Sequence, residues 1–492
     1  MGDHTQSSIT IPPEASDLDQ CTLFIDGAWA ESIDGTTHTL IEAATEQPFA
    51  SSVLGGRRDI DAAVAAARRA LTGPWTNYSA VERGEALGRF AAALHARGDS
   101  TAELVSRENG MPITLSRVVN GMAPAAIAGF YAQLVTQLTL REERPSPTGG
   151  STVVTRRPAG VVAAVTPWNY PQPLAIMKLA PALAAGCTVV LKPPPETACD
   201  AFAFAEAAES AGLPAGVVNV VPGGRETGVA LVEHPGVDKV AFTGSTPAGR
   251  AIGATAGKLL RPATLELGGK SVSLVADDAD LELFGNKLLD VSLRNNGQTC
   301  HAATRILAPR SRYDEVVEVV TSTVAELRVG DPLDPDTQVG PLVSAAQRDR
   351  VLDYIERGKA SAKLATGGSM PDRAGWYVDP TVFIDVDNSS VIAQEEIFGP
   401  VLTVISYDDD EHAIALANDS DYGLGGVVWS ADTERAMALA ERIDSGTVGI
   451  NHYELHLNAP FGGVKNSGIG RELGAEGLDP YLIAKSIYRP AN

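Results

Sequence analysis

Basic side chains are in short supply: 39 Lys and Arg stand against 61 Asp and Glu, a net charge of −22. So acidic a surface repels nucleic acid and anionic membrane alike, and neither is expected as a partner. Cysteine is scarce as well. The four in 492 residues (Cys21, Cys187, Cys199 and Cys300) include no CxxC pair, which argues against a disulfide framework and a thiolate metal centre. The eight histidines are scattered without an HExxH pair, so no metal is expected. No apolar run approaches the roughly 18 residues that cross a bilayer. The opening stretch, MGDHTQSSITIPPEASDLDQ, lacks the basic-then-apolar order of a signal peptide, and its Met-Gly start matches a myristoylation pattern only loosely. A reducing cytoplasm is the expected location, and a thiol nucleophile survives there.

A chain of 492 residues exceeds one ordinary core, so two or three structural units are expected. Residues 1–19 read as a mobile segment. Helical apolar periodicity runs from Arg58 to Leu71, from Ala80 to Arg97 and from about Ala123 to Leu138. LREERPSPTGGSTVVTRR then reads as two strands about a Pro/Gly turn, projecting from the core. From Gly160 the texture changes. GVVAAVT, CTVVLK, GVVNVV and VDKVAFT are short apolar runs separated by helix-like segments such as Leu174–Ala185. Buried parallel strands with crossover helices produce this pattern, so a doubly wound α/β unit is expected, with ligands near the strands' carboxyl ends. A second α/β pattern runs from near Glu266 to about Asn451.

Cys300 ends the run NNGQTC, thirty-four positions after Glu266 in LELGGK. A thiol is the strongest side-chain nucleophile near neutral pH, and a carboxylate from another segment can serve as its general base. Each residue alone has a plainer explanation, a buried filler thiol and a solvated carboxylate. In TPWNYP, two prolines stiffen the loop after a strand and hold the Asn169 amide in one direction. That amide and the Cys300 backbone N–H make two halves of an oxyanion hole. VAFTGSTPAGRAI joins a strand end to a helix start, where Gly244 and Ser245 would offer N–H groups and a hydroxyl to a phosphate. It is not the GxGxxG fingerprint, and an ordinary strand-turn-helix explains it in isolation. Lys192 places a cation at another strand's carboxyl edge.

TPWNYP, the LK at 191–192, FTGS at 242–245, LELGGK at 265–270, NNGQTC at 295–300, EEIFGP at 395–400 and PFGGVKNSGIGRE at 460–472 occur here in one order. In that order the chain, from about Cys21 to Ser486, resembles the aldehyde dehydrogenase superfamily. The resemblance implies an α/β fold: a Rossmann-type cofactor domain (20–133 and 152–265), an α/β catalytic domain (266–470), and a β-hairpin oligomerisation flap (134–151 and 471–492). A homodimer or homotetramer is implied too. It further implies that Cys300 attacks an aldehyde, giving a thiohemiacetal held by Asn169, then a thioester that Glu266-activated water hydrolyses to the acid. Glu472 matches a carboxylate relaying protons to that base. Cofactor contacts are implied at Thr166, Trp168, Lys192, Gly224, Gly228, Gly244, Ser245, Leu267, Glu396 and Phe398. A substrate tunnel is implied at Tyr170, Leu174, Met177, His301 and Phe461, with Tyr453 and His456 nearby.

Two departures bear on specificity. NAD-preferring relatives carry a Glu three positions beyond the lysine, where this chain has Pro195; NAD is favoured and NADP stays open. Met177 stands where several relatives have Trp, which leaves a choline-type aromatic cage incomplete. Apolar, aromatic or terpenoid aldehydes are therefore expected. Two alternatives are a CoA-acylating semialdehyde dehydrogenase, disfavoured by Glu266, and a non-catalytic protein retaining the fold, disfavoured by the Cys300, Glu266 and Asn169 set.

Overall fold

The computed structural model describes Asp19 and residues 22–490. Residues 1–18, most of the segment expected to be mobile, lie outside the described residues, as does Cys21.

Helix α1 (Ala123–Thr136) comes before the first long apolar strands. Strand β1 (Val161–Val165), helix α2 (Pro171–Ala185), strands β2 (Thr188–Lys192), β3 (Val218–Val220) and β4 (Lys239–Thr243), helix α3 (Thr246–Lys258) and strand β5 (Ala263–Glu266) then follow in order. All five strands are parallel neighbours in the order β3-β2-β1-β4-β5. Every residue of β1, β2 and β4 is buried, which is why they read as continuous apolar runs. The chain builds outward from β1 through β2 to β3, then returns to set β4 on the other side of β1. The order therefore reverses between β1 and β4, leaving a crevice at their carboxyl ends. Thr166–Tyr170 leave β1 at that crevice, and Gly244–Ser245 leave β4 there.

A second sheet has seven strands, in the order Lys363–Thr366, Thr381–Ile384, Val401–Tyr407, Arg305–Pro309, Val272–Val275, Gly426–Trp429 and Gly449–Ile450. It is parallel except for its first strand. Glu266 ends β5 of the first sheet, and six residues later, at Val272, the chain enters the second. The chain later returns: Gly468–Ile469 pairs antiparallel with β5, although 266–470 reads as one catalytic segment. A strand of two residues has no periodicity to read.

The third sheet joins Arg141–Pro145, Ser151–Pro158 and Leu482–Arg489, all antiparallel. Its middle strand runs to Pro158, past the expected boundary at 151. Ile483, Ile487 and Tyr488 on its last strand are exposed.

The helical stretch Ile113–Thr136, which includes α1, is long and apolar enough to cross a membrane by length and composition. Polar residues interrupt it, so no continuous apolar run announces it. Here α1 packs on Ala80–Ala96 and α2, burying Ile127, Tyr131 and Val135.

Candidate active site

The loop carrying Cys300 is shaped by left-handed backbone. Asn295 (φ 53°), Asn296 (φ 60°) and Gly297 (φ 76°) occupy that region in succession. Asparagine tolerates it better than other side-chain-bearing residues, and glycine adopts it freely. Their amides then pin the loop. Asn296 Nδ2 donates to the carbonyls of Gly110 (2.9 Å) and Pro341 (2.8 Å), and its Oδ1 accepts from Gly340 N–H at 2.6 Å. A Cβ on Gly297 would collide with the Gly399 carbonyl. Asn295 Nδ2 donates to the Asn169 carbonyl at 2.9 Å, and Asn169 Nδ2 donates to the Gln298 carbonyl at 3.0 Å. The two arms of the expected oxyanion hole are thus tied together, with a second Asn169 N–H still to spend. Asn109 Nδ2 braces the arm from behind, donating to the Trp168 and Asn169 carbonyls.

Cys300 is half-buried, and its thiol is pushed up to about 12 by burial, then by the Glu396 and Glu266 carboxylates. A thiol held this far above its ordinary range is essentially un-ionised near pH 7, so a proton acceptor is required. Glu266 is 2% exposed and neither carboxylate oxygen accepts a hydrogen bond from any described residue. Burial first, then Glu472, hold its carboxyl well above the usual range, against the pull of Lys178 and Arg471. A Cβ on Gly462 would lie 2.7 Å from Glu266 Oε1, so glycine there leaves the carboxyl room.

Glu472 Oε1 pairs with Lys178 Nζ at 2.7 Å, both fully buried. Lys178 also donates to Thr243 Oγ1 (2.6 Å) and the Leu174 carbonyl (3.2 Å). Lys178 is a site residue that motif reading missed. Its signal was present: it is the single charge in PQPLAIMKLAPALAA, a helix buried at all fifteen positions. A buried charge is costly unless paired, so such a lysine announces a partner.

A cavity of about 490 Å³ opens onto Cys300 and is lined by Tyr170, Leu174, Met177, His301, Tyr453 and Phe461 among others. All five residues expected in the tunnel meet there. Val118, Val119, Ile127, Leu455 and Leu457 line it too and were not foreseen, because they come from helical and irregular segments without motifs. His456 lines an adjoining cavity of about 390 Å³ instead. Burial, then Arg294, drive the His301 imidazole down to about 3, so it is neutral near pH 7. Its ring stacks on Tyr453 at 4.7 Å and 20°. The Tyr170 hydroxyl and Thr299 Oγ1 share a hydrogen bond at 2.7 Å.

The expected cofactor residues fall in two groups around the β1–β4 crevice. Glu396, whose Oε1 accepts from Gly269 N–H at 3.0 Å, is pushed up to about 7 by burial. It shares a small hollow with Phe398 and Thr299, and Phe398 packs edge-on against Trp168 at 5.4 Å. Across the crevice, burial lowers Lys192 to about 8. Its Nζ donates to the Gly223 (2.6 Å) and Pro193 (3.1 Å) carbonyls. Thr166 N–H donates to the Lys192 carbonyl at 3.3 Å. Gly224 caps the helix Arg225–Glu233, and a Cβ on Gly228 would lie 3.7 Å from Lys192 Cδ. Ser245 caps α3 without spending its hydroxyl on the helix. Gly244 N–H donates to the Glu266 carbonyl at 3.0 Å, and Gly249 lets α3 sit against Leu267. These residues fit a dinucleotide: free first-turn N–H groups and an unspent hydroxyl suit a pyrophosphate, and a buried lysine suits ribose hydroxyls.

Comparison with known proteins agrees with this geometry. The model of the aldehyde dehydrogenase family matches residues 29–487. A geranial dehydrogenase from Castellaniella defragrans is 50% identical, covering 96% of this chain and 99% of that protein. A betaine aldehyde dehydrogenase from Rhizobium leguminosarum bv. trifolii is 39% identical, with 94% and 96% covered. Among solved structures, an aldehyde dehydrogenase from Mycobacterium tuberculosis complexed with NAD+ superposes with a TM-score of 0.94 at 44% identity, covering 96% of this chain and 99% of that one. A thiol at the foot of a cavity, an orphaned carboxylate beside it and a dinucleotide crevice behind it find their match: the chain belongs to the aldehyde dehydrogenase family.

Proposed function

We propose that this enzyme oxidises a neutral, apolar aldehyde of terpenoid size to its carboxylic acid, with NAD+ as the preferred cofactor. The cavity that ends on Cys300 carries this reading. Val118, Val119, Ile127, Leu174, Met177 and Leu455 give it an apolar lining, and about 490 Å³ lies in the usual range for small-molecule pockets. A quaternary ammonium is disfavoured because His301 already covers one face of Tyr453, and a cation needs open aromatic faces. The geranial dehydrogenase relative points the same way. NAD+ rests on the complexes solved for relatives from M. tuberculosis and Bacillus cereus.

In this reading Cys300 Sγ bonds to the aldehyde carbon as its proton leaves toward Glu266. The carbonyl π pair moves to oxygen, where the second Asn169 N–H and the Cys300 N–H stabilise it. The chemistry supplied by bound oxidised nicotinamide is hydride acceptance, which turns the thiohemiacetal on Cys300 into a thioester. Glu266 then takes a proton from the water that attacks the thioester carbon and hands it to the Cys300 sulfur as the C–S bond breaks to release acid and thiol, the proton first taken from the thiol having left the site beforehand. Glu472 and Lys178 stand beside Glu266 to relay that proton. Lys192 and Ser245 would hold the ribose and pyrophosphate, with Thr166, Gly224, Gly228, Gly244 and Leu267 shaping the backbone around them. Glu396, Phe398 and Trp168 would hold the nicotinamide half.

We assign residues 20–133 and 152–265 to cofactor binding, 266–470 to catalysis, and 134–151 with 471–492 to an oligomerisation flap of a cytoplasmic homodimer or homotetramer, with the strand to Pro158 counted in the flap and Gly468–Ile469 in the first sheet. The substrate reading is tested by kcat/KM for geranial, benzaldehyde, betaine aldehyde and succinic semialdehyde. Geranial should exceed betaine aldehyde at least tenfold; parity or reversal would overturn the assignment. Titrating NADP+ against NAD+ tests the cofactor, and a tenfold advantage for NADP+ would reverse that preference.

A further inference from the structure

Beyond the catalytic chemistry, one segment at the cavity mouth holds a ligand set that the reaction does not use. Residues 452–456 alternate. Tyr453 is half-buried and stacks on His301, and Leu455 packs on the main core. His452, Glu454 and His456 are all exposed on the opposite side. In extended backbone, positions i, i+2 and i+4 share a face. Here that periodicity brings one ligand atom from each residue to within 4.8 Å of the other two. All three line the adjoining cavity of about 390 Å³, and His452 and Glu454 also line the cavity that reaches Cys300.

Two further features go beyond a solvated polar face. The His452 ring engages the Ile450 carbonyl through Nδ1 at 2.8 Å. A carbonyl only accepts, so Nδ1 carries the proton and the Nε2 lone pair points outward. That tautomer-fixing contact is what metal-ligating histidines usually make. The backbone beneath is braced as well. Asn451 (φ 57°) accepts from Ser430 N–H at 3.0 Å and donates to the Ser430 carbonyl at 2.9 Å. Beyond the segment, Gly474 N–H donates to the Leu457 carbonyl at 2.9 Å. The segment carrying the three side chains is therefore held at both ends, at Asn451 and at Leu457.

We propose that His452, Glu454 and His456 form a binding site for one borderline-soft divalent cation of the zinc type at the mouth of the substrate cavity. Two imidazoles and one carboxylate are the donor set that suits Zn²⁺, with water completing an open coordination shell. Hard cations such as Mg²⁺ and Ca²⁺ prefer all-oxygen ligands and should not compete. The inference does not depend on which aldehyde is oxidised, since it rests on the three ligands at the cavity mouth.

The test uses untagged, chelator-stripped full-length enzyme carrying Cys300→Ser, which removes the competing thiol. Equilibrium dialysis against Zn²⁺ should find one ion per subunit, undisplaced by millimolar Mg²⁺ or Ca²⁺, and Co²⁺ should produce visible d–d absorption at the same stoichiometry. Adding His452→Gln, Glu454→Gln or His456→Gln should weaken Zn²⁺ binding by roughly tenfold or more, with unchanged melting temperature because the side chains are exposed. No bound equivalent, displacement by Mg²⁺ or Ca²⁺, or unaltered affinity in the His452→Gln/His456→Gln double variant would overturn the proposal.

Discussion

Lys178 shows what motif reading misses at the residue scale. Cys300, Glu266, Asn169, Lys192 and Glu396 stand in recognisable runs; Lys178 stands alone in an apolar helix, and its meaning is a matter of burial and charge. With both partners buried, removing one strands the other, at a cost of about 3–5 kcal/mol. Lys178→Met should therefore lower the melting temperature sharply. Lys178→Met/Glu472→Gln should recover most of that stability while turnover stays low; recovery of both would make the pair purely structural. The same charges set a pH dependence. Glu266 acts as a base only when ionised, and burial and Glu472 raise its pKa, so thioester hydrolysis should climb with pH through that raised value. Glu472→Gln removes the repulsion and leaves Lys178 beside the base. The acid limb of the kcat profile should then move to lower pH; an unmoved or oppositely moved limb would contradict the coupling.

At the scale of elements, the buried strands β1, β2 and β4 were legible because burial on both faces leaves unbroken apolar runs. The Cys300 loop was legible as a motif but not as a shape. Nothing in NNGQTC states that three consecutive residues are left-handed, or that the Asn296 amide reaches Gly110, Gly340 and Pro341. Asn296→Ala should cost about 2–4 kcal/mol, summing the lost hydrogen bonds and the poorer tolerance of alanine for this backbone. Asn296→Gly should recover only the backbone share. Denaturant midpoints for the two variants give the comparison, and equal losses would mean that the backbone conformation contributes nothing. The return of Gly468–Ile469 to the edge of the first sheet was not legible either, because two residues carry no period.

Across the whole molecule, the chain crosses from one sheet to the next just after Glu266, so the base ends a strand of the first sheet and the nucleophile's loop leads into a strand of the second. The third sheet leaves Ile483, Ile487 and Tyr488 exposed on its last strand, an apolar edge suited to burial against another subunit. Light scattering should find a dimer or tetramer, and deleting 482–492 should release monomers; an unchanged mass would remove the flap from assembly. The central claim is that Cys300 carries the acyl group and Glu266 frees it. Rapid mixing of the Glu266→Gln variant with aldehyde and NAD+, followed by intact-mass analysis, tests this most directly. The account predicts one burst equivalent of NADH per active site, a steady rate slowed roughly 10²–10⁴-fold, and an acyl mass added at Cys300. A variant that turns over at the wild-type rate, or one whose burst leaves no adduct on Cys300, would contradict it.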